Sequence, residues 1–472
     1  MSEPKPDKVD SDAAERPVSR STREYLQMDF GSNAPGAEDL TVLERVRDWC
    51  QEALEARGRI AGLVAIARVA DAYNTMGAEE RYTFFRMLGT EFSVDRFEVD
   101  EAIDAYREAS EPRIRELTRL TLSLDSPRLQ LFRQFNTIPE SIKFLVDLRA
   151  DISARLKKDP ELWLLEFELR HLLESWFNLG FLKLHRITWD SPARLLEKLV
   201  EYEAVHEIGN WMDLKRRLGS DRACFAFIHP NMPAEPIIFV EVALVKGITG
   251  NVQELLGPDA DHLQPHQADT AIFYSITNAQ RGLRGIPFGN MLIKKVTAQL
   301  RGDVPGLRHF ATLSPIPRLL PDYLTQLLAD GGMERFYTGD EAARLLELAG
   351  SGDLFGVKNL SAAVSGLLAR ADWHQDREVS AALRPGLLRA AKRYLKGVQS
   401  KGRLACPVAH FHAGNGALLG RINWLGDTSS KGLAQSAGIM VNYIYELDHV
   451  ERYQNDYSLT GELPLGPEVA GL

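Results

Sequence analysis

The chain has 472 residues, more than one ordinary hydrophobic core serves, so two domains are expected, with one large core plus extensions as the alternative. With 44% apolar and 26% charged residues, 36 glycines and 23 prolines, the composition is globular and excludes collagen-like, mucin-like and wholly disordered chains. A net charge of -9 gives no bulk attraction to nucleic acid or to an anionic membrane, though a local basic patch still has room to hold an anionic ligand.

Residues 1–21 mix acids and prolines without an apolar stretch, which reads as a flexible tail rather than a secretory signal. Cys50, Cys224 and Cys406 lie far apart, so no disulfide framework or cysteine zinc site is signalled, and a reduced, cytoplasmic setting fits. The longest apolar runs, such as Ile237 to Val245, are interrupted by Glu241 and fall short of the roughly 20 residues of a membrane helix.

From 22 to 185 the periodicity is helical. Leu40, Leu43, Val46 and Cys50 share one face, and further helices are predicted over 60–73, 81–88, 94–109, 112–120, 127–136, 139–156 and 160–179. Pro112, Pro127, Pro139 and Pro160 stand where a first helical turn accepts them. All 11 histidines lie at or beyond His171, so this half reads as a scaffold or oligomerisation domain.

Beyond it, 186–472 reads as an α/β domain. Strands are predicted at 184–189, 223–228, 236–245, 270–276 and 307–313, with helices at 192–200, 211–218 and 290–300. The near-continuous apolar run of 236–245 marks an inner strand covered on both faces. A helical insertion at about 321–400 follows, then extended segments at 408–412, 418–424 and 438–445, and a tail from Tyr457.

Gln280-Arg-Gly-Leu-Arg-Gly-Ile-Pro-Phe-Gly-Asn290 follows a strand and opens a helix, a place where backbone amides and the helix dipole converge on a diphosphate. Its spacing is neither G-x-G-x-x-G nor that of a P-loop, which disfavours NAD and ATP. As a bare pattern it is equally an ordinary strand-to-helix turn. Ser314, before Pro-Ile-Pro317, reads as a turn hydroxyl or as a rigidly placed active-site group, with no nucleophile elbow around it. His410 and His412, two apart on a predicted strand, share a face and are open to readings as a metal pair or as packed histidines.

The loop 284–289 after Phe273-Tyr-Ser-Ile276 resembles the acyl-CoA pyrophosphate loop of the GCN5-related acetyltransferase superfamily. Together with Glu203-Ala-Val-His-Glu-Ile-Gly-Asn-Trp-Met-Asp-Leu-Lys-Arg-Arg-Leu-Gly219, Leu313-Ser-Pro-Ile-Pro317 and Phe411-His-Ala-Gly-Asn-Gly-Ala-Leu-Leu-Gly-Arg-Ile-Asn-Trp424, it is similar to the malonyl-CoA decarboxylase family over essentially the whole chain.

The resemblance implies a helical bundle followed by an acyl-CoA acyltransferase-like catalytic domain, with malonyl-CoA converted to acetyl-CoA and CO2 through a thioester enolate. It implies Ser314, His412 and Tyr445 as catalytic residues, with His412 protonating C2. CoA is expected on Arg284, Gly285, Ile286, Pro287, Phe288, Gly289 and Asn290. No cofactor beyond the CoA moiety and no metal is implied, and a homo-oligomer, dimer or tetramer, is expected through the helical domain. A reference pKa of about 6.5 is expected to give His412 a usable protonated fraction near neutrality.

Asn415 and Asn423 are candidates to tune the imidazole. The family often has a glutamate where Pro287 stands, leaving Glu235 and Glu241 as candidate replacements. Rival readings are an acyl-CoA-dependent N-acetyltransferase on the same scaffold and a non-enzymatic CoA-binding scaffold.

Overall fold

A computed structural model describes residues 40–56, 60–138, 141–178, 180–257, 263–286, 290–350, 360–397 and 403–472; the tail expected at 1–21 lies outside them. The front half is helical, in the order α1 (Val42–Ala56), α2 (Ile60–Thr75), α3 (Ala78–Thr90), α4 (Arg96–Glu108), α5 (Ile114–Ser123), α6 (Pro127–Phe135), α7 (Ile142–Arg155) and α8 (Trp163–Trp176). Helical spacing decides what each one buries, as where α1 turns Val46, Cys50 and Ala53 inward. Side-chain caps set the starts: Asp95 accepts from the amides of Phe97 and Glu98 at α4, and Ser126 caps α6 with Pro127 at its first position. Two prolines depart from expectation, since α5 begins after Pro112 at Ile114 and Pro160 opens a 3-10 turn ahead of α8, while Pro139 lies outside the described residues.

Among the described residues the second half is built on an eight-stranded sheet of order β1 (Lys183–Ile187), β2 (Arg222–Ile228), β3 (Pro236–Val245), β4 (Thr270–Asn278), β5 (His309–Thr312), β8 (Met440–Ile444) and β6 (Ser314–Pro315), with β7 (Leu418–Asn423) also paired to β8. β1 (Lys183–Ile187), β2 (Arg222–Ile228), β3 (Pro236–Val245) and β4 (Thr270–Asn278) form an antiparallel meander, with α9 (Ala193–Tyr202) and α10 (Trp211–Arg217) between the first two strands. The expected boundary at 185 thus falls inside β1. β3 is buried along nearly its whole length, as its unbroken apolar run predicts.

From β4 the chain crosses through α11 (Asn290–Asp303) to β5 (His309–Thr312), which runs parallel to β4 up to the rung Phe273↔Thr312. There the strands part. Val242 pairs with Phe273 and Glu241 with Ser275, leaving Tyr274 as a bulge in β4. On the other side, the Leu313 amide still donates to the Phe273 carbonyl at 3.0 Å, but β6 (Ser314–Pro315) turns away to pair with β8, Ser314 opposite Val441. Ser314 therefore stands at the mouth of a fork.

The insertion carries α12 (Gly339–Leu348), α13 (Leu360–Leu368) and α14 (Arg377–Leu395), after which α15 (Pro407–Gly414), β7 (Leu418–Asn423), β8 (Met440–Ile444) and α16 (Val450–Thr460) complete the domain. Two expectations are corrected here. The segment 408–412 is helix, because Pro407 opens a first turn where its missing amide costs nothing. The run from Tyr457 is packed structure rather than a tail: Leu419 donates to Pro464, Gly466 donates to Leu419, each at 2.8 Å, and Val469 is buried.

The largest hydrophobic cluster runs through both halves, joining Leu145 of α7, Val242, Phe273, Leu387 of the insertion and Tyr443. The opposite sheet face is covered in two smaller clusters, one around Leu199 and Phe239, the other around Tyr274, Leu313 and Met440. No described helix is long and apolar enough to cross a membrane.

Candidate active site

The glycine loop is shaped from the helical half. Gly282 lies against α7 so closely that a Cβ there would sit 1.7 Å from the Val146 carbonyl oxygen, whereas Gly285 has open space and a φ of +85°. Arg149 of α7 donates to the carbonyls of Gly282 at 2.5 Å and Arg284 at 3.1 Å, and the same guanidinium is held by Glu166 at 2.7 and 3.0 Å.

The amides of Arg284 and Ile286, both expected to face a diphosphate, donate within the loop to the carbonyls of Arg281 and Leu283, at 3.1 Å each. Arg284 and Gly285 are exposed, and α11 begins at Asn290. Ile286 is buried, and Pro287, Phe288 and Gly289 lie outside the described residues.

The fork brings Ser314, His412 and Tyr445 together. Ser314 Oγ lies 3.4 Å from His412 Nε2, and the Tyr445 hydroxyl lies 2.7 Å from Nδ1. These side chains are 6, 2 and 4% exposed respectively. Ser314 also donates to Thr312 Oγ1 at 2.8 Å, and that oxygen accepts the Tyr443 amide at 3.1 Å, tying the serine to β8. Asn442 fastens the same strands from its side chain, donating to the Thr312 carbonyl at 2.7 Å.

His412 occupies the last turn of α15, and its carbonyl accepts from Asn415 at 3.1 Å and Ala417 at 3.0 Å as the helix unwinds. The turn closes through Gly416 at φ +78°, where a Cβ would sit 2.1 Å from the Val450 carbonyl oxygen. Burial drives the His412 pKa well below 6.5 and lifts the Tyr445 phenol well above 10. Burial thus disfavours the imidazolium in the unliganded site, against the expectation of a usable protonated fraction near neutrality. Desolvation, with no carboxylate beside the ring among the described residues, is the reason.

Helical geometry also separates the two histidines. His410 turns away to share a 2.5 Å hydrogen bond with the Tyr457 hydroxyl, and among the described residues no group of three or more His, Cys, Asp or Glu side chains is placed to hold a metal. Neither Asn415 nor Asn423 bonds the imidazole: Asn415 donates to the Phe411 carbonyl and Asn423 to Asn442.

The two candidate acids are engaged elsewhere. Glu235 accepts from Tyr202 at 2.7 Å, and Glu241 is paired with Arg217 at 3.2 Å. Burial, then the neighbouring Glu203, raises the Glu241 carboxyl despite Arg217. Glu203, unmarked in the sequence except as the first residue of a long motif, accepts from Ser275 and Thr277 of β4 and from the amides of Val205 and His206. It fixes β4 just past the bulge. Thr312, Asn442 and Arg149 had no local signal either, whereas Tyr443 was discoverable from its two-residue spacing to Tyr445 on a strand.

A buried histidine in contact with a serine at one ring nitrogen and a tyrosine at the other, where a mixed α/β sheet forks, is an arrangement suited to acid–base chemistry. Comparison with known proteins then identifies the lineage. Residues 180–472 match the malonyl-CoA decarboxylase C-terminal domain and residues 92–177 the malonyl-CoA decarboxylase N-terminal domain, and the chain belongs to that family.

It is 37% identical over 355 residues to the mitochondrial malonyl-CoA decarboxylase of Anser anser anser, covering 73% of this chain and 69% of the relative. Against the mitochondrial malonyl-CoA decarboxylase of Mus musculus the identity is 34% over 386 residues, covering 79 and 77%. The crystal structure of malonyl-CoA decarboxylase from Rhodopseudomonas palustris is similar at a TM-score of 0.79 and 33% identity, covering 92% of this chain and 100% of that one. That from Agrobacterium vitis is similar at 0.77 and 36%, covering 90 and 98%.

Proposed function

We propose that this family member decarboxylates malonyl-CoA to acetyl-CoA and CO2 with His412 as the proton donor, Ser314 and Tyr445 holding it in place. The observation that carries the reading is the uninterrupted contact from Ser314 through both nitrogens of His412 to Tyr445, at the point where β4 and β5 separate.

The reaction breaks the bond between C2 and the carboxylate. Its electron pair passes into the thioester, CO2 departs, and the resulting enolate takes a proton at C2. The thioester is the electron sink, so the chemistry asks for no organic cofactor. Ser314, fixed by Thr312 and followed by Pro315, contacts the malonyl group with little ordering cost.

With Tyr445 donating to Nδ1, the single proton of the neutral ring sits on Nε2, toward Ser314. A malonyl carboxylate entering this pocket brings the counter-charge that the buried ring lacks, and the imidazole takes a second proton as the substrate binds. Tyr445 then rotates its hydroxyl to accept from Nδ1. Delivery from Nε2 to C2 returns the ring to neutrality, and solvent resupplies the proton with the next substrate.

The diphosphate of CoA is placed on the Gly285 amide and the head of α11, with Arg284 assisting. The parallel β4–β5 pair, the Tyr274 bulge and the crossover helix support an acyltransferase-like sheet of the GCN5-related type. Oligomerisation through the helical half is supported by α5, which buries none of its residues and exposes Ile114, Leu117 and Leu122. A cytoplasmic setting is supported by Cys50, Cys224 and Cys406, all buried as free thiols.

The test is incubation of the purified chain with malonyl-CoA and no amine, followed by mass analysis. Acetyl-CoA and CO2 in equal amounts support the reading. Loss of malonyl-CoA only when an amine is added would favour acyl transfer, and binding without turnover a scaffold.

A further inference from the structure

The mechanism gives His412 partners at both nitrogens but leaves its ring face unexplained. The Tyr443 ring stacks on that face, with centroids 4.5 Å apart and planes inclined by 22°. Phe411 and Tyr445 meet the imidazole edge-on, at 77° and 69°. Tyr443 of β8 and Tyr445, the residue just past the strand's end, are two apart along the chain and reach the histidine together.

The titratable neighbours are few. Tyr443 comes from β8 and Tyr445 from the residue that follows it, Cys406 heads α15, and Tyr394 of α14 lies near Tyr443, while Ser314 and Thr312 approach from the β5–β6 side. Among the described residues no carboxylate perturbs the ring. Besides the hydroxyls of Tyr445 and Ser314 at the ring nitrogens, the electron-rich face of Tyr443 is a group able to favour a positive imidazole, since its quadrupole attracts cations without contributing a formal charge.

We propose that Tyr443 is a positioning residue for the decarboxylation: its ring fixes the plane of His412 and favours the imidazolium that forms when malonyl-CoA binds. The proposal rests on His412 being the proton donor. The Tyr443 hydroxyl is not needed for it. That hydroxyl is fully buried without a hydrogen-bond partner among the described residues, and the stacked surface acts through the ring.

The test is a series at position 443 that keeps the shape: Tyr443→Phe, then site-specific incorporation of phenylalanines carrying progressively more fluorine, which drains the ring face of electron density. The readout is the pH profile of kcat. Phe should retain the wild-type rate within about threefold. Along the fluorinated series the basic limb should move stepwise to lower pH, by roughly half to one unit in total, with KM little changed.

A merely structural role for the ring predicts an unmoved basic limb across the series, and that result overturns the proposal. His412→Ala separates the two levels. If it turns over at the wild-type rate, the His412 mechanism fails and the Tyr443 assignment falls with it; if it is slow while the series shows no shift, only the Tyr443 assignment falls.

Discussion

Ser314 Oγ and His412 Nε2 lie 3.4 Å apart although 98 residues separate them in the chain, with the helical insertion between. The insertion therefore leaves and re-enters the fold beside the site, and α15 returns the histidine to the serine that the β5–β6 turn had already placed.

Removal of that serine hydroxyl in Ser314→Ala should lower kcat by about 100-fold while leaving CoA affinity within a fewfold of wild type, if the nucleotide is held at the glycine loop as proposed. Steady-state kinetics with a parallel CoA titration checks this. A KM effect with unchanged kcat would move Ser314 from positioning the reacting group to ordinary binding.

The two loop glycines should separate by mechanism. Gly282→Ala forces a Cβ into the Val146 carbonyl and should destabilise the fold by about 1 to 3 kcal/mol in urea melts. Gly285→Ala meets no atom and should cost only about 1 kcal/mol from its positive φ, yet weaken CoA binding if the Gly285 amide faces the diphosphate. The bulkier Gly285→Val should weaken it further.

Arg149→Met should report on how the helical half supports the site. Arg149 and Glu166 are 5 and 12% exposed, so removing the cation leaves a poorly solvated carboxylate and two unpaired loop carbonyls. A stability loss on the order of 3 kcal/mol is expected, together with a higher KM for malonyl-CoA. Combined Arg149→Met and Glu166→Leu should recover part of the stability but not the KM.

The buried histidines should contribute an acid-sensitive part of the stability. Burial holds His412 well below 6.5 and lowers His206 to about 4, so in this window the unfolded chain binds protons that the folded chain refuses. Their contribution to stability is complete above about pH 6.5 and is lost as pH falls toward the folded values. Glu241, its carboxyl raised to about 8 by burial, pulls the other way in this window, so the readout is a difference: in urea melts between pH 7.5 and 5, His206→Gln should lose less stability than wild type as pH falls. An unchanged slope would remove His206 from the acid response.

Periodicity made most of this fold legible, because 236–245 could only be an inner strand and the front half repeats at helical spacing throughout. The segment 408–412 misled because five residues alternating through Val408, His410 and His412 satisfy a strand period, and only Pro407 argued for a helix start. The tail misreading has the same origin: short apolar residues such as Leu463 and Val469 acquire meaning only once β7 is there to pack against. Ser314, His412 and Tyr445 were reached through long motifs, whereas Arg149 and Thr312 act through contacts made after folding and leave no pattern in the chain.

Single-turnover decarboxylation by His412→Ala tests the central claim most directly, with circular dichroism and CoA affinity measured on the same preparation. If His412 delivers the proton to C2, the folded variant should bind CoA nearly as well as wild type yet form acetyl-CoA about 100- to 10,000-fold more slowly. A folded His412→Ala protein producing acetyl-CoA at the wild-type chemical rate would contradict the account.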